Sequence, residues 1–361
     1  MDVGAIVIVE AQGWTDESPS QSKMAELSSA TSFAGGTPAF IDLLGRSLLE
    51  HTIDRLLTAH VKFTSLIVHP DVAASIPVFR CPMGNLTMRV ADDPWAAVAQ
   101  ILESYWRTGC DCAVVVKPTA YIEADLADLL DFHREGERMV TRASDREGSL
   151  DLWIMNCNPN EEVAGDSLTA ALLQPDLFPA SYFVKEYVRR ISHPEDFRQL
   201  VTDAFLERCS LHPIGEQRRP GIWADEDVEI GRGARIVGPA YLGARCKIGE
   251  RAVITRFTNI ERDCYIDYGT VIENSSVLPN TYVGIWLDVR HSIVQGNRLL
   301  NLERGVLVEI SDSRLLRSNV PAGQSKRTPT FVPKPAHPSP LPQAKTFHRI
   351  RSVSTTTEFE S

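Results

Sequence analysis

The chain has 361 residues, enough for two or three domains each with its own core. A net charge of −10, with 43% hydrophobic and 23% charged residues, suits a globular protein and argues against non-specific binding to nucleic acid or anionic membrane. No apolar run reaches membrane-spanning length, and the opening MDVGAIVIVEAQG lacks a basic n-region, so a cytoplasmic protein is expected.

Residues 1–215 alternate strand and helix signals. Ala5-Ile-Val-Ile-Val9 is a β-branched run suited to a buried strand. A polar segment with Ser and Gly between Trp14 and Thr37 reads as a long loop. The next helix starts at Leu48, with Ser47 and Glu50 as a capping box and Leu48, Leu49, Ile53, Leu56 and Leu57 as its apolar face. Ser65–Val68 and Ala113–Val116 read as strands. Asp93 and Pro94 open a helix that stops at Gly109, and a further helix passes through Leu126, Leu129, Leu130 and Phe132. Ser192-His-Pro-Glu195 opens one more, running to about Cys209. This order predicts a mainly parallel sheet covered by helices.

From Ile230 the pattern changes to a strict six. Ile230, Ile236, Leu242, Ile248, Ile254, Ile260, Ile266, Ile272 and Leu278 lead successive hexads. Four residues after each come Ala234, Ala240, Cys246, Ala252, Thr258, Cys264, Thr270, Ser276 and then Tyr282, small in all but the last. Helices repeat near 3.6 residues and strands near 2, so neither explains a period of six. A triangular parallel β-helix does, because each hexad forms one face and sends one aliphatic inward. The phase is lost at Gly284-Ile-Trp286, and irregular final coils or a cap are expected beyond it. The tail from Val320, with seven prolines, six basic and two acidic residues, is expected to be disordered. The seven scattered cysteines contain no C-x-x-C pair; they read as reduced thiols without a zinc site.

Three segments, together with the hexads, resemble the sugar-1-phosphate nucleotidyltransferases that carry a C-terminal left-handed β-helix. Leu44–Leu57 resembles the family's G-K-P-L-L-E-H helix, Ala124–His133 the helix after its metal-binding strand, and His193–Phe197 its T-P-E-D-Y turn. The resemblance implies an in-line attack of a sugar phosphate on a nucleoside triphosphate, with a glycine-rich loop, cationic side chains and carboxylates for Mg²⁺. The seats for that chemistry hold other residues. The loop corresponds to Glu10-Ala-Gln-Gly-Trp-Thr-Asp16, with Gln12 and Trp14 for glycines and Asp16 for arginine. The P-K-P lysine falls on Pro38, the two metal carboxylates on Thr119 and Arg190, and the base-contacting segment on Ala96–Val98. Within five residues of Thr119, Glu123 is the sole candidate for a shifted carboxylate. Between Met139–Thr141 and Asp151–Ile154, where the family builds its sugar pocket, only a short charged turn remains.

The expected architecture is therefore α/β: a Rossmann-like nucleotidyltransferase domain over 1–215, a left-handed parallel β-helix over 222–318, and a tail over 320–361. No catalytic or metal-ligating residue is assigned, and Ala11, Gln12 and Gly13 are the remaining candidates for nucleotide contact. Trp14 would occlude the cleft or stack on a base. Arg190 would pair with a bound phosphate or with Asp16, against a plainer reading as a surface arginine. The function implied is a degenerate, non-catalytic member of nucleotide-sugar or exopolysaccharide metabolism, acting by binding a nucleotide or nucleotide-sugar, by self-association or through a related subunit. The alternatives are a working nucleotidyltransferase using Mg²⁺, and an acyltransferase with His291 as base. A serine hydrolase lacks its G-x-S-x-G elbow.

Overall fold

The computed structural model describes residues 2–11, 37–76, 79, 86–136, 138–158 and 181–320, all within one compact unit. The expected loop from Trp14 and the expected disordered tail lie outside the described residues, Thr37 and Val320 excepted.

The N-terminal part is a mixed α/β layer structure. Strand β1 (Asp2–Val9) pairs in parallel with β4 (Phe63–Val68) on one side and β6 (Cys110–Val116) on the other. β5 (Leu86–Val90) extends the parallel run beyond β4. β9 (Gly148–Asn156) runs antiparallel to β6 and to β8 (Val140–Asp145), and β10 (Ser181–Phe183) closes the seven-stranded sheet. Alternate residues of β1 feed two cores. Ala5, Val7 and Val9 pack with Leu49, Ile53 and Leu129, whereas Ile6 and Ile8 pack with Ala97, Val98 and Trp153. Both faces are covered, which is why the run is apolar without alternation.

The helices start where their caps are. In the hairpin β2 (Asp42–Leu43) and β3 (Arg46–Ser47), Ser47 leads into α1 (Leu48–Thr58). The Ser47 amide donates to Glu50 Oε2 at 2.8 Å and the Glu50 amide to Ser47 Oγ at 3.2 Å, the reciprocal box read from sequence. A short helix α2 (Pro70–Ala73) follows β4. Asp93 Oδ1 accepts from Trp95 and Ala96 at 3.0 Å each, capping α3 (Pro94–Arg107). β7 (Ala120–Ile122) pairs antiparallel with β11 (Val188–Arg190), and α4 (Leu126–Glu135) lies between them in sequence. Helix α5 spans Pro194–Phe205, ending four residues before Cys209 because Glu207 turns to φ +55.

The C-terminal part rises in three parallel ladders, compatible with a β-helix. Residue 222 pairs with 240 and 240 with 258; 235 pairs with 253 and 253 with 271; 229 pairs with 247 and 247 with 265. Each step is 18 residues, three hexads. Ile248, Ile254, Ile260, Ile266 and Ile272 join one core with Cys246, Ala252 and Cys264. Ile230 stays 53% exposed, since its strand is the edge of its ladder.

Two expectations for the coils need correction. The phase slips before Gly284: Ile260 pairs with Val277, Ile266 with Val283 and Ile272 with Val289, all steps of 17. One residue is lost between Thr270 and Ser275, whose hydroxyls bond the next coil alike, Leu287 N to Thr270 Oγ1 at 3.2 Å and Ser292 N to Ser275 Oγ at 3.0 Å. Val277, therefore, enters the coil core, and Leu278 is displaced from it.

Leu278 packs instead into a cluster shared by both parts, with Ile41, Leu44, Tyr121, Phe197, Leu200 and Tyr241. Polar contacts cross the same boundary. Arg198 Nη1 donates to Asn259 Oδ1 at 2.9 Å and Ser276 Oγ at 2.7 Å, and its Nη2 to Phe257 O at 2.8 Å. Glu261 accepts from the Leu44 and Gly45 amides at 3.0 Å each and from Asn259 Nδ2 at 2.8 Å. Gly45 sits at φ +106, and a Cβ there would collide with the Tyr241 hydroxyl.

Candidate functional site

From β1 the chain moves to β4 and β5 on one side, then returns to place β6 on the other side of β1. That reversal makes the region beyond the carboxyl ends of β1 and β6 the topological switch point, the crevice position where open α/β sheets take ligands. Glu10 follows β1 and Lys117 follows β6. Lys117 Nζ lies 2.5 Å from Glu10 Oε2, with side chains 15% and 25% exposed. An opposed pair at this mouth spends both charges on each other.

Around the pair stands a chain of cation–aromatic contacts. Lys117 Nζ is 5.2 Å from the Trp95 ring centre, and Trp95 meets Trp153 edge-on at 5.4 Å. The Arg142 guanidinium lies 5.2 Å over Trp153, and its Nε donates to Leu150 O at 3.0 Å. Trp153 Nε1 is buried without a hydrogen-bond partner among the described residues.

Thr119 Oγ1 donates to Asp151 Oδ2 at 2.9 Å, and Arg142 Nη2 is 3.6 Å from the other oxygen. The carboxylate beside Thr119 is thus Asp151. The nearer candidate in sequence, Glu123, accepts from the Ser210 amide at 2.5 Å and the Ser210 hydroxyl at 2.6 Å. Sequence reading missed Asp151 because it is 32 residues from Thr119 and arrives only through the β6–β9 pairing, with Lys117 N donating to Asp151 O at 2.9 Å.

Arg190 is no plain surface arginine, and Asp16, its other suggested partner, lies outside the described residues. Its Nη1 and Nη2 reach the two Asp145 oxygens at 2.5 and 2.8 Å, Nη1 reaches Glu147 Oε2 at 3.1 Å, and Nη2 reaches Gly148 O and Ser149 O at 3.2 Å. Burial pushes the Asp145 carboxyl up, but the Arg190 bonds and the Glu147 and Gly148 amides outweigh it and hold it below the usual carboxylate range. The turn between β8 and β9 is as short as the sequence implied, since Asp145 Oδ1 accepts from both Glu147 and Gly148.

Of the nucleotide-contact candidates, Ala11 is exposed directly after Glu10. Gln12 and Gly13 lie outside the described residues, as do Trp14 and Asp16. Pro38 is buried in a 3-10 turn, Pro38–Phe40, capped by Thr37. Ala96–Val98 form the first turns of α3, with Ala97 and Val98 in the core under β1. His291 sits at φ +47, and its Nδ1 shares a hydrogen bond with Asn274 Nδ2 at 2.9 Å.

Among the described residues no set of three or more His, Cys, Asp or Glu side chains is arranged to hold a metal ion, and no helix is long and apolar enough to cross a membrane. Cys110, Cys112, Cys157, Cys209, Cys246 and Cys264 are buried free thiols. No family model matches the chain, and neither does any curated protein.

Proposed function

We propose that the chain joins a nucleotidyltransferase-like α/β domain to a left-handed parallel β-helix and works without catalysis, by binding or association, in nucleotide-sugar or exopolysaccharide metabolism. The observation that carries this reading is the Glu10–Lys117 pair across the crevice. Among the described residues the lysine at that mouth is neutralised, and the seats that the resemblance gives to metal carboxylates hold Thr119 and Arg190, each bonded to a protein carboxylate. The 18-residue steps and the inward aliphatics support the β-helix. The buried free thiols fit a reducing compartment, here the cytoplasm.

A second reading rests on Asp151. It is a carboxylate at the end of the crevice, and an active Mg²⁺-dependent nucleotidyltransferase would use it as a relocated ligand. Calorimetric titration with nucleoside triphosphates, with and without Mg²⁺, separates the two. The non-catalytic reading predicts binding that Mg²⁺ does not strengthen, or none. Binding strengthened tenfold or more by Mg²⁺ and lost in Asp151→Asn favours the second.

A further inference from the structure

A groove of about 720 Å³ runs between α1, the start of α4 and residues 210–214, within the size range of small-molecule sites. Behind it lies a recess of about 40 Å³ walled by Leu56, Val116, Ile122 and Leu152. Arg55, Tyr121, Ala124 and Leu126 line both, so they stand where the open groove meets the apolar recess.

Arg55 is the charged group at that junction. Its Nη1 donates to Ser210 Oγ at 3.2 Å and its guanidinium lies 5.9 Å over the Tyr121 ring. Among the described residues it has no carboxylate in ion-pair range. Glu123 reaches it only through the Ser210 hydroxyl. The two acids that line the groove are engaged elsewhere, Asp54 with Arg46 at 3.4 Å and Asp125 as the cap of α4 through Ala127 N at 2.9 Å and Asp128 N at 3.2 Å. His60 and His212 stand exposed on the rim. His51 is held neutral, its pKa lowered to about 4 by burial, with Nε2 on Leu43 O at 3.1 Å.

A half-buried guanidinium with no direct ion pair among the described residues carries a desolvation cost that an anionic ligand removes, with charge-assisted bonds to planar donors. We propose that this groove binds a small organic phosphate, its charge on Arg55 and the rim imidazoles, its apolar body against Tyr121 and Leu126. The site does not depend on the crevice being closed. Nucleotidyl transfer by this chain would overturn the function proposed above and leave this assignment standing.

The test is calorimetric titration of the full chain with phenyl phosphate, inorganic phosphate and phenol. Phenyl phosphate is expected to saturate one site and to bind several-fold tighter than inorganic phosphate, with phenol negligible. Arg55→Met, which keeps the apolar stem, is expected to weaken phenyl phosphate about tenfold or more, with an unchanged unfolding temperature as the control for fold. Arg55→Lys keeps the charge and is expected to retain measurable binding, so it serves as the comparison if the methionine variant unfolds. Phenyl phosphate that fails to saturate at about 10 mM, or that binds Arg55→Met as well as wild type, overturns the proposal, as does phenol binding equally well.

Discussion

The Glu10 carboxylate and the Lys117 ammonium, which end two neighbouring parallel strands, meet at 2.5 Å where an open α/β sheet would receive its ligand. Each removes the other from use on a phosphate, and each depends on the other for its burial. Lys117→Met should cost about 1–3 kcal/mol, because it leaves a three-quarters-buried carboxylate unpaired. Glu10→Gln combined with Lys117→Met should cost less than the sum of the single changes. Urea unfolding of the four proteins measures both; strict additivity would show that the pair is not coupled.

Arg190 organises the β8–β9 turn from β11. Because Arg190 holds the Asp145 carboxyl below its ordinary value, the pair contributes stability above the unfolded-state carboxylate pKa, and that contribution is lost as pH falls through the folded one. Arg190→Met is therefore expected to destabilise by about 1–3 kcal/mol near pH 7 and by less near pH 3, below the ordinary carboxyl value of 3.8. Unfolding midpoints at the two pH values give the comparison. An equal loss at both would mean that packing of the arginine stem, not its charge, is what matters.

Glu261 behaves in the opposite sense. Burial, with Asp42 beside it, pushes its carboxyl up to about 7, against the Asn259, Leu44 and Gly45 donors. The folded state then keeps a proton that the unfolded chain has released, so this group's contribution to stability falls as pH rises from about 4.5 to about 7. Glu261→Gln should remove that fall, leaving a variant whose stability relative to wild type improves across this window. A difference between the two proteins that stays constant with pH would contradict the assignment.

Arg198 ties α5 to the coils through neutral acceptors, and burial lowers its pKa to about 10, so it remains charged at neutral pH. Arg198→Met takes the charged donor from the Phe257 carbonyl and leaves Asn259 Oδ1 with the Ser276 hydroxyl as its donor, and should cost about 1–3 kcal/mol. Thermal unfolding monitored separately by Trp fluorescence and by far-UV circular dichroism would show it. A loss below about 0.5 kcal/mol would mean that these bonds barely exceed the cost of burying the guanidinium.

The parts of the fold that local chemistry dictates were legible in the sequence. The β-branched run of β1, the Ser47–Glu50 box and the hexads all state their environment within a few residues. The elements that depend on distant partners were not. β5, with its mixed Leu-Thr-Met-Arg-Val, becomes a strand because β4 lies beside it, and β7 and β11 form only by pairing with each other. The coil slip was hidden because Val277 and Leu278 are adjacent aliphatics, and either could keep the count. Only the pairing of Ile260 with Val277 decides between them. Likewise, Glu10 lay within the loop read from sequence, whereas its partner Lys117 was not singled out, and Asp151 and the partners of Arg190 came from an antiparallel hairpin whose register the sequence does not encode locally.

The most direct measurement is release of diphosphate when the purified chain is incubated with Mg²⁺, each common nucleoside triphosphate and a panel of sugar 1-phosphates. Release no faster than the protein-free control is expected with every pairing. Turnover that appears with one pairing and disappears in Asp151→Asn or Lys117→Met would contradict it.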